Sequence, residues 1–127
     1  MTINKEKVNI LVAEDEADLR DILKVTLEQE GYRVILASDG DKAIKRIEKK
    51  SFQMALIDLK MPGVNGKELV FKIKQINPLM PIVIVTGSPD FKEEVSLKKQ
   101  VYEYIYKPFR LNELVGVVKE ALLMRKE

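Results

Sequence analysis

Along this chain, short unbroken apolar runs alternate with longer stretches in which apolar residues return every three or four positions. The first pattern predicts buried strands and the second amphipathic helices. Residues 8–13 form the first such run. Leu19, Ile22, Leu23, Thr26 and Leu27 then recur at helical spacing, and Gly31 stands where a helix-ending glycine belongs. Residues 32–37 are rich in β-formers; Ala43, Ile44 and Ile47 mark a second, shorter helix; residues 52–58 read as a third strand. Pro62, Gly63 and Gly66 make residues 60–66 a loop. Leu69, Val70, Ile73 and Ile76 give a third helix, stopped by Asn77-Pro78. Residues 81–86 are a fourth strand, 91–100 a weaker helical pattern and 101–106 a short β-rich run. Leu111, Leu114, Val115, Val118, Ala121 and Leu122 complete a last helix, with Arg125 and Lys126 near its negative pole.

Five strand–helix units result, each roughly 20–30 residues long, which suits a parallel crossover. Strands one, three and four are almost wholly apolar, as strands covered on both faces must be. The expected fold class is therefore α/β: an open, doubly wound, five-stranded parallel sheet with helices on both faces. No Pro/Gly/Ser-rich linker or low-complexity tract interrupts the pattern, so residues 1–127 read as one domain.

Composition narrows the chemistry. At 46% hydrophobic and 33% charged residues the chain is neither a disordered tail nor a fibre. Its 127 residues suffice to bury a core without a staple. The absence of cysteine excludes a disulfide scaffold, a thiolate zinc site and a catalytic thiol. The absence of histidine removes the commonest general base and metal ligand. Any bound metal must take oxygen ligands, which favours a hard cation such as magnesium. A net charge of +2 gives no argument for nucleic acid, and the lysine-rich segments carry interleaved acids, as solvated helix faces do. No apolar run approaches the ~18 residues of a membrane span. Residues 1–7 lack the apolar stretch of a secretory signal, so a cytoplasmic location is expected.

In such sheets ligands bind beyond the carboxyl ends of the strands. Strand one ends in Glu14-Asp15, strand three in Asp58, strand four in Thr86 and strand five in Lys107. Each has an ordinary explanation alone, as helix-start acid, turn former, strand residue or surface lysine. Their joint arrival at one edge does not. Three clustered carboxylates repel one another, and a divalent cation relieves the repulsion. Magnesium bridges readily to phosphate oxygens, and a neighbouring lysine balances further negative charge. The set points to phosphoryl chemistry, with a carboxylate as the natural covalent acceptor.

At this point the sequence resembles a response regulator receiver domain over essentially its whole length. The matching segments are ILVAEDE (10–16), ALIDLKMPGVNGKEL (55–69), IVTG (84–87) and YIYKPF (104–109), in that order and spacing. The resemblance implies the flavodoxin-like strand order 2-1-3-4-5. It implies that Asp58 is the phosphoacceptor of a two-component or phosphorelay system. Glu14, Asp15, Asp58 and the backbone carbonyl of Lys60 would hold Mg2+, for which Mn2+ can substitute. Lys107 would contact the phosphate across a cis bond to Pro108, Thr86 would be the switch hydroxyl and Tyr104 the switch aromatic. The implied donor is a sensor histidine kinase or a histidine phosphotransfer domain, and the implied listener a downstream effector domain or protein. A phosphorylation-dependent homodimer fits the same scheme; direct nucleic-acid or membrane binding does not. The domain would assist its own phosphorylation and dephosphorylation without being a multiple-turnover enzyme.

Three departures from the family pattern stand out. Glu14 occupies a position where aspartate is commoner; an intervening water can absorb its extra methylene, so magnesium binding is expected to survive. Lys60 lies two residues past the acceptor, where the family modulates phosphate lifetime. Gln100-Val101 replaces Gly-Ala before the last strand, and glutamine is a poor left-handed cap, so the end of the fourth helix should be shaped differently. Competing readings are a magnesium-dependent phosphatase with an aspartyl intermediate, a flavodoxin-like cofactor binder and a phosphorylation-independent binding module. The glycine-free acidic loop Glu14-Asp15-Glu16 argues against the cofactor binder.

Overall fold

The computed structural model describes residues 8–87 and 95–124. Within them five strands and five helices alternate: β1 (Asn9–Ala13), α1 (Ala17–Gln29), β2 (Arg33–Ala37), α2 (Gly40–Lys49), β3 (Met54–Ile57), α3 (Gly66–Ile76), β4 (Ile82–Thr86), α4 (Val95–Lys98), β5 (Glu103–Tyr106) and α5 (Leu111–Met124). The strands form one sheet in the order β2-β1-β3-β4-β5, and every neighbouring pair is parallel. The doubly wound α/β architecture and its strand order are thus as the sequence implies.

Two apolar clusters sandwich the sheet. Leu11, Ala13, Ala55, Ile57, Ile82 and Ile84 face Ala43 and Ile47 of α2, Leu69, Val70 and Ile73 of α3, and Leu97 of α4. The alternate residues Ile10, Val12, Met54, Leu56, Val83, Val85 and Ile105 face Leu23 and Leu27 of α1 and Leu114, Val118, Ala121 and Leu122 of α5. This is the period-two alternation of a strand with both faces buried. It explains why, after Asn9 at the start of β1, strands β1, β3 and β4 carry no polar residue until their carboxyl ends.

Local chemistry sets the element ends. The amide of Tyr32 donates to the carbonyl of Leu27 and that of Gly31 to Glu28, with Gly31 at φ +96°. That pair of bonds and a left-handed glycine close α1 as a Schellman motif. Asn65 accepts the Glu68 amide at 2.9 Å while its own side-chain amide donates to the Glu68 carboxylate at 3.1 Å, a reciprocal cap on α3. Gly66, grouped with the loop by composition, is instead the first residue of α3. A Cβ there would collide with the backbone of Leu59 and Asp58, so glycine lets α3 start hard against β3.

Gln100 donates its amide to the carbonyl of Leu97, and no non-glycine residue among those described has a positive φ. The chain therefore leaves α4 without the left-handed residue that glycine would permit. Of the predicted 91–100 helix, residues 91–94 lie outside the described residues, as do the N-terminal segment and Arg125-Lys126. No helix among the described residues is long and apolar enough to cross a membrane.

Gly116 gives a first prediction. It lies mid-α5, exposed, and an added Cβ would meet nothing within 4 Å. Gly116→Ala should raise the unfolding free energy by about 0.5–1 kcal/mol, because alanine restricts the unfolded chain and favours helix. Urea denaturation checks this; a loss of stability would mean that the α5 surface is not open at that position.

Candidate functional site

The backbone ladder continues one residue past β1, β3 and β5 and delivers their polar residues to one place. The Glu14 amide donates to Ala37 at 3.0 Å, the Asp58 amide to Ala13 at 2.9 Å and the Lys107 amide to Thr86 at 2.9 Å. Glu14, Asp58 and Lys107 are therefore held by sheet hydrogen bonds although none belongs to a strand.

Side-chain contacts knit them together. Lys107 Nζ donates to Glu14 Oε1 and to Asp58 Oδ2, each at 3.2 Å. The second Glu14 oxygen accepts the Glu16 amide at 3.1 Å, and Asp58 Oδ1 accepts the Lys60 amide at 3.1 Å. Asp58 thus does make the local turn that its residue type allows, in addition to facing Lys107. Glu14, Asp58 and Thr86 are 2%, 6% and 1% exposed. No other Asp, Glu, Lys, Arg, Ser, Thr, Asn or Gln side chain among the described residues is buried. Buried charge is costly unless paired or metal-bound, so two buried carboxylates at one edge, with no other charged side chain buried among the described residues, mark that edge as a candidate site.

Carboxylate oxygens of Glu14, Asp15 and Asp58 lie within 4.8 Å of one another. Asp15 is exposed, at the mouth of the cluster. Burial, with the Asp58 charge adding to it, pushes the Glu14 carboxyl up to about 7, against the opposing pull of the Glu16 amide and Lys107. Burial alone would lower the Lys107 ammonium; the charges of Asp58 and Glu14 outweigh it and hold the group above its ordinary value. The donor set is all oxygen and anionic, with no nitrogen or sulfur. It fits a hard divalent cation.

The remaining expected residues fall around this cluster. Lys60 projects an exposed side chain from the residue whose amide binds Asp58. The Lys107–Pro108 bond is cis. Thr86 ends β4 beside Lys107. Tyr104 pairs in register with Ile84, two residues before Thr86, and packs against the apolar cluster under α2, α3 and α4 with its hydroxyl oxygen buried. Its ring stacks on Tyr106, centroids 6.1 Å apart and planes at 19°.

One participant was not legible in the sequence. Arg20, in α1, reaches back so that Nη1 donates to the carbonyls of Glu14 at 2.9 Å and Asp15 at 3.2 Å. An arginine on a helix among acids reads as a solvated surface charge, and a bond to main-chain carbonyls leaves no signature in residue spacing.

A carboxylate cluster with an ammonium, at the carboxyl edge of a doubly wound sheet, is chemically suited to a hard cation and to anionic oxygens. The chain belongs to the response regulator receiver domain family, whose model matches residues 10–119. It is 35% identical over 118 residues to the transcriptional regulatory protein ZraR of Klebsiella oxytoca, covering 92% of this chain and 27% of that protein. A CheY-like receiver domain from Methanospirillum hungatei JF-1 superposes with a TM-score of 0.85 at 34% identity, covering 91% of this chain and 93% of the other. The response regulator TrrA from Thermotoga maritima, solved in complex with magnesium and beryllium fluoride, gives 0.83 at 29% identity, covering 90% and 98%. The chain spans only 27% to 53% of the length of the first curated relatives it matches. As a receiver domain it is a phosphoaccepting signalling module of two-component systems.

Proposed function

We propose that Asp58 is the residue that accepts the phosphoryl group, taken from a phosphohistidine on a partner sensor kinase or phosphotransfer domain. A carboxylate oxygen of Asp58 attacks phosphorus in line, the phosphorus–nitrogen bond breaks, and its electron pair returns to the partner's imidazole. Glu14, Asp15, Asp58 and the Lys60 carbonyl would hold magnesium, which supplies neutralising charge to the transferring oxygens. Lys107 moves from bridging two carboxylates to facing the incoming oxygens. The observation that carries this reading is the shared Lys107 ammonium, 3.2 Å from both buried carboxylates. A groove of about 380 Å³, lined by Glu16, Asp18, Ile22, Lys107, Phe109 and Leu111, opens beside Lys107 and offers a partner an apolar footing next to the acceptor.

The acyl phosphate then adds charge beside Thr86. Thr86 and Tyr104 respond and bias the α4–β5–α5 surface between two states, which a downstream effector domain or a second copy reads. The domain assists its own phosphorylation and dephosphorylation and does not turn over external substrates. Lys60 supports this: a cation, and no acid, stands two residues past Asp58, where a phosphatase would need a proton donor for the leaving group. Incubation with acetyl phosphate and Mg2+ should add one phosphoryl mass to the intact protein. No gain, in a folded sample that binds magnesium, would overturn the proposal.

The elevated Glu14 carboxyl makes metal binding pH-dependent. A carboxyl near 7 is roughly one tenth ionised at pH 6 and nine tenths at pH 8. Magnesium affinity should therefore rise about tenfold across that interval, with proton release at the lower end. Calorimetric titration in two buffers of different ionisation heat measures both. A flat profile with no proton release would mean that Glu14 is already ionised in the metal-free protein.

A further inference from the structure

We infer that Arg20 is a positioning residue for the cation site: through hydrogen bonds to the Glu14 and Asp15 carbonyls it sets the shape of the acidic loop before metal arrives. The inference rests on the reading of Glu14, Asp15 and Asp58 as cation ligands and goes beyond it.

The loop needs such a device. Glu16, the N-cap of α1, makes no side-chain cap bond, so the helix start does not hold the loop in the usual way. Glu14 is fixed by the sheet, by the Glu16 amide and by Lys107. Asp15 is exposed, and among the described residues its carboxylate has no hydrogen-bond or ion-pair partner. Its direction depends on the two peptide planes that flank it. The carbonyls of those planes, Glu14 O and Asp15 O, are the two that Arg20 Nη1 binds.

The helix supplies the reach. Side chains on an α-helix lean toward its N-terminus, so a residue in the first turn covers the segment just before it. The Arg20 amide makes the first intrahelical bond, to Glu16 at 2.9 Å, which fixes its own backbone. The guanidinium has no ion-pair partner among the described residues, so these carbonyl bonds are its attachment. Both bonds leave the single Nη1, whose two N–H groups serve acceptors on adjacent peptides.

The charge and the hydrogen bonds of Arg20 make opposite predictions. A guanidinium near the site repels a divalent cation, so if charge dominated, its removal would tighten metal binding and salt would erase the difference. If loop shape dominates, removal weakens binding at any salt. Arg20 donates to backbone at hydrogen-bond distance, whereas its charge acts through screened solvent. The second outcome is therefore expected.

The test is Mg2+ titration by calorimetry on the full chain as wild type, Arg20→Met and Arg20→Lys, at low and high salt. Arg20→Met keeps the stem without donors and should weaken Mg2+ about tenfold at both salts, in line with other supports one step behind the ligands. Arg20→Lys, which retains a donor, should recover part of that loss. In metal-free protein the amides of residues 15 and 16 should exchange faster with deuterium in Arg20→Met, while those of β1 and β3 do not change. Saturating Mg2+ should restore the rate of mass gain from acetyl phosphate. Unchanged or tighter Mg2+ binding in Arg20→Met overturns the inference while leaving the site intact. Failure of the wild type to bind Mg2+ overturns the site itself.

Discussion

Asp58→Asn is expected to abolish phosphoryl uptake. With acetyl phosphate and Mg2+, the variant should gain mass at least about a thousandfold more slowly than wild type, because a neutral amide oxygen is a far weaker nucleophile than a carboxylate. The fold should survive. Asparagine matches aspartate in shape, and one amide group can still accept from Lys107 or from the Lys60 amide, the two donors that Asp58 meets. It cannot accept from both with oxygen, so one of those contacts is lost, at a cost of about 1 kcal/mol. Relief of repulsion with Glu14 offsets part of this, since the Asp58 charge is one of the causes that raise the Glu14 carboxyl. Thermal unfolding should therefore shift little while mass gain disappears. Equal mass gain in variant and wild type would move the acceptor elsewhere.

Much of this site was legible because the fold leaves so few places for polar groups. β1, β3 and β4 are apolar on both faces, so Glu14, Asp58 and Thr86 stand out at their ends. Lys107 was legible only through its company, since by itself a lysine after a short β5 reads as surface and only its place at the edge that carries the carboxylates singles it out; the structure half-buries it between two of them. Element limits were less readable. β3 spans Met54–Ile57, narrower than the apolar run from Phe52, because ladder pairing rather than hydropathy ends a strand. Gly66 belongs to α3 for a reason of close approach that composition does not encode. Arg20 escaped notice because its partners are carbonyls, which every residue has. The stack of Tyr104 on Tyr106 was equally hidden, since alternation places both on one face but does not fix ring geometry.

Lys107→Met should separate the electrostatics of the site from its packing. Methionine keeps most of the apolar stem and removes the only cation that touches both Glu14 and Asp58 among the described residues. Removing one partner of a fully buried pair costs about 3–5 kcal/mol; with Lys107 24% exposed, about 2 kcal/mol is expected for the metal-free protein at pH 8. The sign of the pH dependence follows from Glu14. Its folded value of about 7 already exceeds the ordinary 4.5, so the folded state holds more protons than the unfolded one between those values. Stability therefore falls as pH rises through that window. Loss of the ammonium raises the carboxyl further, which deepens the fall and extends it to higher pH. The deficit should thus be largest at pH 8, shrink toward pH 5 as Glu14 takes up its proton, and close when Mg2+ supplies the missing positive charge. Urea denaturation at both pH values, with chelator and with Mg2+, measures all three. A deficit that is equal at both pH values and indifferent to Mg2+ would assign Lys107 to packing, and the ammonium would then not be what holds the two buried carboxylates together.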